Sequence, residues 1–464
     1  MTLKKTSSAT KPDALPRTCA LGILNEIDKT GMHADKAVAK GFSAPRNLSS
    51  REKAFVTELV YGVLRRRETL DWVIGRFSAH PHRRLSRVIR NLLRIGIYQI
   101  LYLTAVPAPV SVSATVAMAK EHLGSRMGSV VNGLLRAVER NRTTIPFPSL
   151  NEDPITAIAV RYSHPVWMVK KWLPVLGEKE TISLCEANNT VPPFTIRTNT
   201  LRITRDELTG HLRSEGISCE VTRHSPDGIM LRHPADITRL SSFQKGWFVV
   251  QDEAAQLIVY LVNPAAGERV LDLCAAPGGK TTHLAQLTGD RGGILAVDVR
   301  RDKTALLQEN TRRLGIESVC PVIADAATPL PVTHGTSFDK VLVDAPCSGL
   351  GILRRHPEGK WFKSPALLSH LPNTQRAILR NASRYVKPGG VIVYSTCTMD
   401  QQENETIVEE FLSLAGGEFQ VDRSLPAMPF PEKRFFDDQG YFHTSPLRDA
   451  MDGFFAVRLR RVGP

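Results

Sequence analysis

The chain has 464 residues, room for two to four domains with several buried cores. Hydrophobic residues make up 42% and charged residues 23%, which excludes a low-complexity or fibrous chain. The formal net charge of +14 points to a polyanionic partner, with nucleic acid the first candidate, although many basic proteins bind none. The seven cysteines are scattered, odd in number and without a Cys-x-x-Cys pair, so neither a disulfide framework nor a zinc site is expected. A reducing, cytoplasmic setting with no bound metal follows.

The start of the chain is polar and lacks the apolar core of a signal peptide, so residues 1–14 are expected to form a disordered tail. Residues 15–142 read as an all-helical domain. Apolar residues recur at three- and four-residue spacing over Cys19 to Ile27 and Arg51 to Leu64, and Ser49 and Ser50 ahead of Glu52 mark a helix start. Leu92 to Ala119 is the most apolar stretch. Arg94, Pro107 and Pro109 interrupt it, so it predicts two core helices and no membrane span. A last helix is expected over about Met127 to Arg140. Arg65-Arg66-Arg67 and Arg83-Arg84 are expected as exposed basic clusters, each equally readable as a solvated face.

A Pro-, Thr- and Asn-rich linker at 141–151 leads into a small α+β module at 143–240. Its β-like runs include Phe194 to Arg197 and Gly228 to Leu231. Residues 241–464 alternate apolar runs with helical stretches. The strand candidates are Val270 to Leu273, Ile294 to Val297, Val319 to Ile323, Lys340 to Val343 and Val391 to Tyr394. Such continuous apolar runs fit a mostly parallel sheet covered on both faces, in an α/β domain. Gly453 to Leu459 is expected as an antiparallel edge strand.

The first strand runs into Cys274-Ala275-Ala276-Pro277-Gly278-Gly279-Lys280. Ligands of open α/β sheets bind at the carboxyl ends of strands, and small residues admit a close backbone approach. A nucleotide phosphate loop would need Gly where Cys274 stands, and no Gly-x-Gly-x-x-Gly is present. A loop for a phosphate-free ligand such as S-adenosyl-L-methionine (SAM) remains, beside the reading of a plain turn. Asp298 ends the next strand, where a ribose diol is held. Asp325 follows the third strand, where it could accept from an adenine amine. Each acid is weak evidence alone; the ordered set is stronger.

Two cysteines, Cys347 and Cys397, lie just beyond the fourth and fifth strands, with Asp344 three residues before the first. Carbon 5 of cytosine is a poor nucleophile. A thiolate adding at carbon 6 makes it enamine-like, after which it must lose its proton and expel the sulfur. Asp344, protonated or sharing a proton, is placed to bond the ring nitrogen, and a second thiol could assist release. Arg354, Arg355, His356, Lys360 and Trp361 combine basic groups with an aromatic, as an RNA-binding loop would. A solvated loop is the alternative.

The Asp272 to Lys280 loop, Asp298, Asp325, Asp344 to Gly349 and Ser395 to Cys397 together resemble the RNA 5-methylcytosine methyltransferase (Sun-domain) family. The helical region resembles the NusB RNA-binding fold. The resemblance covers nearly the whole chain except the polar tail. It implies a Rossmann-like SAM methyltransferase domain with a mostly parallel seven-stranded sheet. Cys397 would be the nucleophile, Cys347 would help release product and Asp344 would contact the cytosine. Residues 274–280, Asp298, Asp325 and Asp344 would line the cofactor pocket, with Lys280 also among the catalytic groups. DNA cytosine methyltransferases use the cysteine of a Pro-Cys motif, an order that would make Cys347 the nucleophile. The implied substrate is small-subunit ribosomal RNA, unassembled or early in assembly, at cytosine 967 of the 16S molecule, and the protein is expected to act as a monomer. Two other classes stay open: an RNA-binding assembly or antitermination-like factor, and a methyltransferase for protein or DNA. The closing Asp452-Gly453-Phe454-Phe455 leaves no room for a further C-terminal RNA-binding domain.

Overall fold

The computed structural model describes residues 15–44, 47–78, 85–232 and 236–463. The expected tail at 1–14 and the Arg83-Arg84 cluster lie outside the described residues. Two compact units emerge: one runs through Thr190 and includes 353–364, and the other holds 191–352 and 365–464. The division at 190 falls inside the module expected at 143–240.

The first unit is helical: α1 Leu15–Thr30, α2 Ala34–Ser43, α3 Ser50–Arg65, α4 Arg67–Phe77, α5 Arg87–Tyr102, α6 Ala108–Leu123, α7 Ser125–Arg140, α8 Pro154–Arg161 and α9 Val166–Asn188. Ser49 and Glu52 form a reciprocal capping box at the start of α3, satisfying two backbone donors the helix cannot. Pro107 ends the α5–α6 connection and Pro109 sits in the first turn of α6. No helix among the described residues is long and apolar enough to cross a membrane. Arg94 is buried and paired with Asp71 at 2.6 Å and Asp28 at 3.3 Å, which is how a charge survives inside an apolar helix face. The Arg65-Arg66-Arg67 cluster is not the exposed patch expected. Arg65 is buried, Arg66 lies over the Tyr102 ring, and Arg67 pairs with Asp28.

The second unit opens with β1 Phe194–Thr198, α10 Arg205–Ser214, β2 Cys219–Val221, β3 Gly228–Leu231, α11 Ser241–Gln244 and β4 Phe248–Val250. These strands form an antiparallel sheet in the order β2-β3-β1-β4, with Leu208 and Leu212 of α10 sharing a core with Ile196 and Phe248. Then follow α12 Glu253–Val262, β5 Arg269–Leu273, α13 Gly279–Leu287, β6 Gly293–Asp298, α14 Arg301–Leu314, β7 Val319–Ile323, β8 Phe338–Asp344, β9 Val386–Thr396, β10 Phe419–Val421, β11 Tyr441–His443 and β12 Phe455–Arg461.

The second sheet has eight strands in the order β10-β12-β9-β8-β5-β6-β7, with β11 pairing β12. Strands β5 to β9 are parallel, and β12 runs antiparallel to β9. The final strand is therefore interior, not an edge, because the three-residue β10 and β11 both pair with it. Segments that short carry no period, so seven strands were expected and eight are present.

Candidate active site

The parallel register brings the loops after β5, β6, β8 and β9 to one edge. Leu273 stands opposite both Val297 and Val343, and Asp344 stands opposite Ser395. Cys274, Asp298, Asp344 and Ser395 thus share a row at the carboxyl ends of the strands, where open α/β sheets bind ligands.

The loop after β5 turns twice through left-handed backbone, at Cys274 (φ 63°) and Gly278 (φ 100°). The second suits glycine alone: a Cβ there would also meet Leu307 Cγ at 3.0 Å. Held residues in such conformations cluster at ligand sites. Beneath the loop, Asp272 is fully buried and accepts from Thr281 Oγ1 at 2.6 Å. Burial pushes its carboxyl up to about 7, against that hydrogen bond. The Asp298 carboxylate accepts from Ala276 N at 3.1 Å and Arg300 N at 2.8 Å, fixing the acid against the loop. Asp325 is exposed and accepts from Ala327 N at 2.9 Å.

Lys280 does not serve as a phosphate cation. Its Nζ donates to Asp344 Oδ2 at 2.7 Å and lies 5.0 Å over the Phe454 ring. Ser395 Oγ donates to the other oxygen, Oδ1, at 3.1 Å. The loop therefore offers small residues, backbone and acids, with its lysine already paired. That donor set fits a nucleoside cofactor without phosphates.

The two sulfurs meet: Cys347 Sγ and Cys397 Sγ are 3.1 Å apart, and the Cys397 amide donates to Cys347 Sγ at 3.3 Å. Both residues are half-buried. The hydrogen bond to Cys397, with burial, pushes the Cys347 thiol well above its ordinary range. At that distance one proton can be shared between the two sulfurs. The two loops are laced beneath: Ser348 Oγ meets Thr398 Oγ1 at 2.9 Å. Buried Glu403 accepts from Ser348 N at 2.8 Å and from Gln375 Nε2 at 2.9 Å. Gly351 N donates to the Cys397 carbonyl at 3.0 Å, and a Cβ on Gly351 would lie 1.9 Å from Gly453 O.

The stretch expected to face RNA has another geometry. Residues 353–364 belong to the helical unit. Lys360 is fully buried, donating to Arg65 O at 2.9 Å, Ser163 O at 2.9 Å and Asn189 Oδ1 at 2.8 Å. Trp361 Nε1 donates to Leu64 O at 2.7 Å, and Arg354 is buried. Arg355 and His356 are half-buried. Of the five residues expected to bind RNA, Arg354 and Lys360 are buried and Arg355, His356 and Trp361 are half-buried, because alternating charge and aromaticity look alike on a surface and in an interior.

Sequence reasoning missed Arg197, Glu403 and Ser395. Arg197 left a trace, being a charge inside the β-like run Phe194 to Arg197. It is buried in β1 and donates to Gly279 O at 2.6 Å, Thr282 Oγ1 at 3.0 Å, Gln286 Oε1 at 3.2 Å and Gln251 Oε1. Ser395 lies within the Ser395 to Cys397 motif, but only strand register sets it against Asp344. Glu403 carried no local signal.

Three family models match along the chain: the NusB family over 15–140, a ferredoxin-like domain of RsmF/B-like methyltransferases over 164–238, and the 16S rRNA methyltransferase RsmB/F over 259–460. The chain is 35% identical to the ribosomal RNA small subunit methyltransferase B of Proteus mirabilis, over 79% of this chain and 85% of that protein. It is 34% identical to the protein of the same name in Salmonella arizonae, over 89% and 92%. The crystal structure of PH0851 superposes with a TM-score of 0.81 at 26% identity, covering 98% of this chain and all of that one.

Proposed function

Because the chain belongs to the family of ribosomal RNA small subunit methyltransferase B, and is therefore an rRNA methyltransferase using SAM, we propose that it methylates carbon 5 of a cytosine through a covalent bond from Cys397. The observation that carries this reading is the 3.1 Å approach of the two cysteine sulfurs at the ligand edge of the sheet. Methylation of an exocyclic amine has no use for a thiol pair.

When bound, the cofactor supplies an electrophilic methyl group. Cys397 Sγ, as thiolate, bonds carbon 6 of the base, and the electron pair of the 5,6 double bond becomes available at carbon 5. Cys347 holds its proton and hydrogen-bonds the neighbouring sulfur. After carbon 5 is methylated, its proton passes to water, the C–H electron pair reforms the 5,6 double bond, and the bond to Cys397 breaks to release a thiolate that Cys347 steadies by a hydrogen bond. Asp344 bonds the pyrimidine ring nitrogen; Lys280 and Ser395, one on each of its oxygens, keep it oriented. Residues 274–280, Asp298, Asp325 and Asp344 would hold the cofactor. The base must leave its stack to reach the sulfur, which favours RNA that is single-stranded or not yet assembled. Cytosine 967 of 16S RNA is the target, met in the cytoplasm by a monomer. The NusB-like helices and the small α+β module hold the RNA.

Labelled SAM and unmodified small-subunit RNA test the roles. Cys397→Ala abolishes transfer, and Cys347→Ala accumulates a denaturation-resistant protein–RNA adduct seen as a shifted band. The opposite pattern reverses the assignment, and transfer persisting in Cys397→Ala refutes the covalent route. Bisulfite mapping of RNA from cells with and without the protein checks the target.

A further inference from the structure

Among the described residues, one group of metal-ligating side chains converges: His33, His356 and Glu358 present ligand atoms all within 4.8 Å of one another. They come from distant points in the chain. His33 stands immediately before α2, while His356 and Glu358 lie on the 353–364 segment of the same helical unit. Both imidazoles aim Nδ1 at one carboxylate oxygen, with Glu358 Oε1 3.0 Å from His33 and 3.3 Å from His356. The rings themselves are 5.3 Å apart and steeply inclined, so they do not stack.

Two features fit this group poorly as a plain ion pair. Glu358 is only 3% exposed, yet its Oε2 is buried without a hydrogen-bond partner. His356 Nδ1 is likewise buried, near the carboxylate but not in hydrogen-bonding geometry. A buried carboxylate oxygen left unpaired costs free energy, and a cation between the two imidazoles and the carboxylate would meet it. Tetrahedral zinc, with Zn–N of about 2.0–2.1 Å and Zn–O of about 2.0–2.2 Å, sets neighbouring donors roughly 3.3 Å apart. The observed nitrogen–oxygen spacings are close to that. Neutral imidazole and carboxylate are also a donor set that suits zinc.

We propose that His33, His356 and Glu358 form a zinc(II) site that staples the 353–364 segment to the helical unit. His33 is 64% exposed, which leaves the fourth position open to water. This departs from the sequence expectation of no metal, since a scattered His, His, Glu set has no recognisable spacing. The ion would hold the segment near its start, while Lys360 and Trp361 anchor it further on.

The test uses the tag-free full chain carrying Cys347→Ser and Cys397→Ser, so that the paired thiols cannot take up zinc. After chelator stripping, zinc chloride is titrated against a chromophoric chelator. One zinc per chain is expected, with only nitrogen and oxygen neighbours at the zinc X-ray absorption edge. His33→Ala and Glu358→Gln should each weaken binding by at least about 10–100-fold, the loss typical of even an outer-shell partner. Zinc should raise the Tm of the parent and leave that of His33→Ala unchanged, because binding to the folded state alone stabilises it. His33 is largely exposed, so its replacement leaves the core intact. Absence of binding, sulfur neighbours, or unchanged affinity in His33→Ala overturns the proposal and leaves the group as an ion pair.

Discussion

Arg197 donates from Nη1 to the carbonyl oxygen of Gly279 at 2.6 Å, joining the small antiparallel sheet to the first residue of the helix that follows the loop after β5. Burial pulls its guanidinium down to about 9, against the attraction of Asp227. Arg197→Met would leave the Gly279 carbonyl and two glutamine side chains without this donor. The expected result is a KM for SAM raised more than kcat is lowered, and a loss of about 1–3 kcal/mol for each buried acceptor left unsatisfied. Steady-state kinetics with urea melts measure both.

Gly351→Ala should disturb Cys397, the proposed nucleophile, without touching its sulfur. The added Cβ would lie 1.9 Å from Gly453 O and 2.9 Å from Cys397 O, all backbone atoms that cannot swing aside. A destabilisation of about 1–3 kcal/mol is expected from overpacking. The methyl-transfer rate should fall while SAM affinity, read by calorimetry, stays near the parent value.

Asp272 gives the protein a pH signature. Its folded-state pKa is raised from 3.8 to about 7, so the folded state holds a proton that the unfolded state releases. The stabilisation from that proton is complete below 3.8 and is lost as pH rises to about 7. It amounts to something on the order of 4 kcal/mol. Urea melts between these limits should show Asp272→Asn losing less stability than the parent as pH rises. Parallel curves would contradict this.

Lys360 places its ammonium among three oxygen acceptors at 2.8–2.9 Å, one for each N–H bond. Burial pushes the pKa well down, while this match in number favours the charged form. Lys360→Ala should destabilise the helical unit by about 1–3 kcal/mol for each buried acceptor left unsatisfied, read as an early transition in thermal unfolding. Lys360→Arg should not rescue it, because a planar fork does not fit three convergent acceptors.

Much of the catalytic unit was legible in the residues alone. Continuous apolar runs located β5 to β9, and the chemistry-bearing residues fell just past their ends. The Ser49 cap and the Pro107–Pro109 break were likewise local signals. The burial of Lys360 was not legible because burial is not a local property: its partners lie 171 to 295 residues away.

The sequence by itself determined the element types, the glycine loop and the identity of the two thiols, because periodicity and backbone permissiveness act over a few neighbouring residues. Only the tertiary structure decided that the thiols meet, that β12 lies inside the sheet, that Ser395 faces Asp344, and that His33 joins Glu358 across 325 positions. Those are outcomes of chain closure, in which strand register and core packing select one long-range pairing among many that local patterns permit.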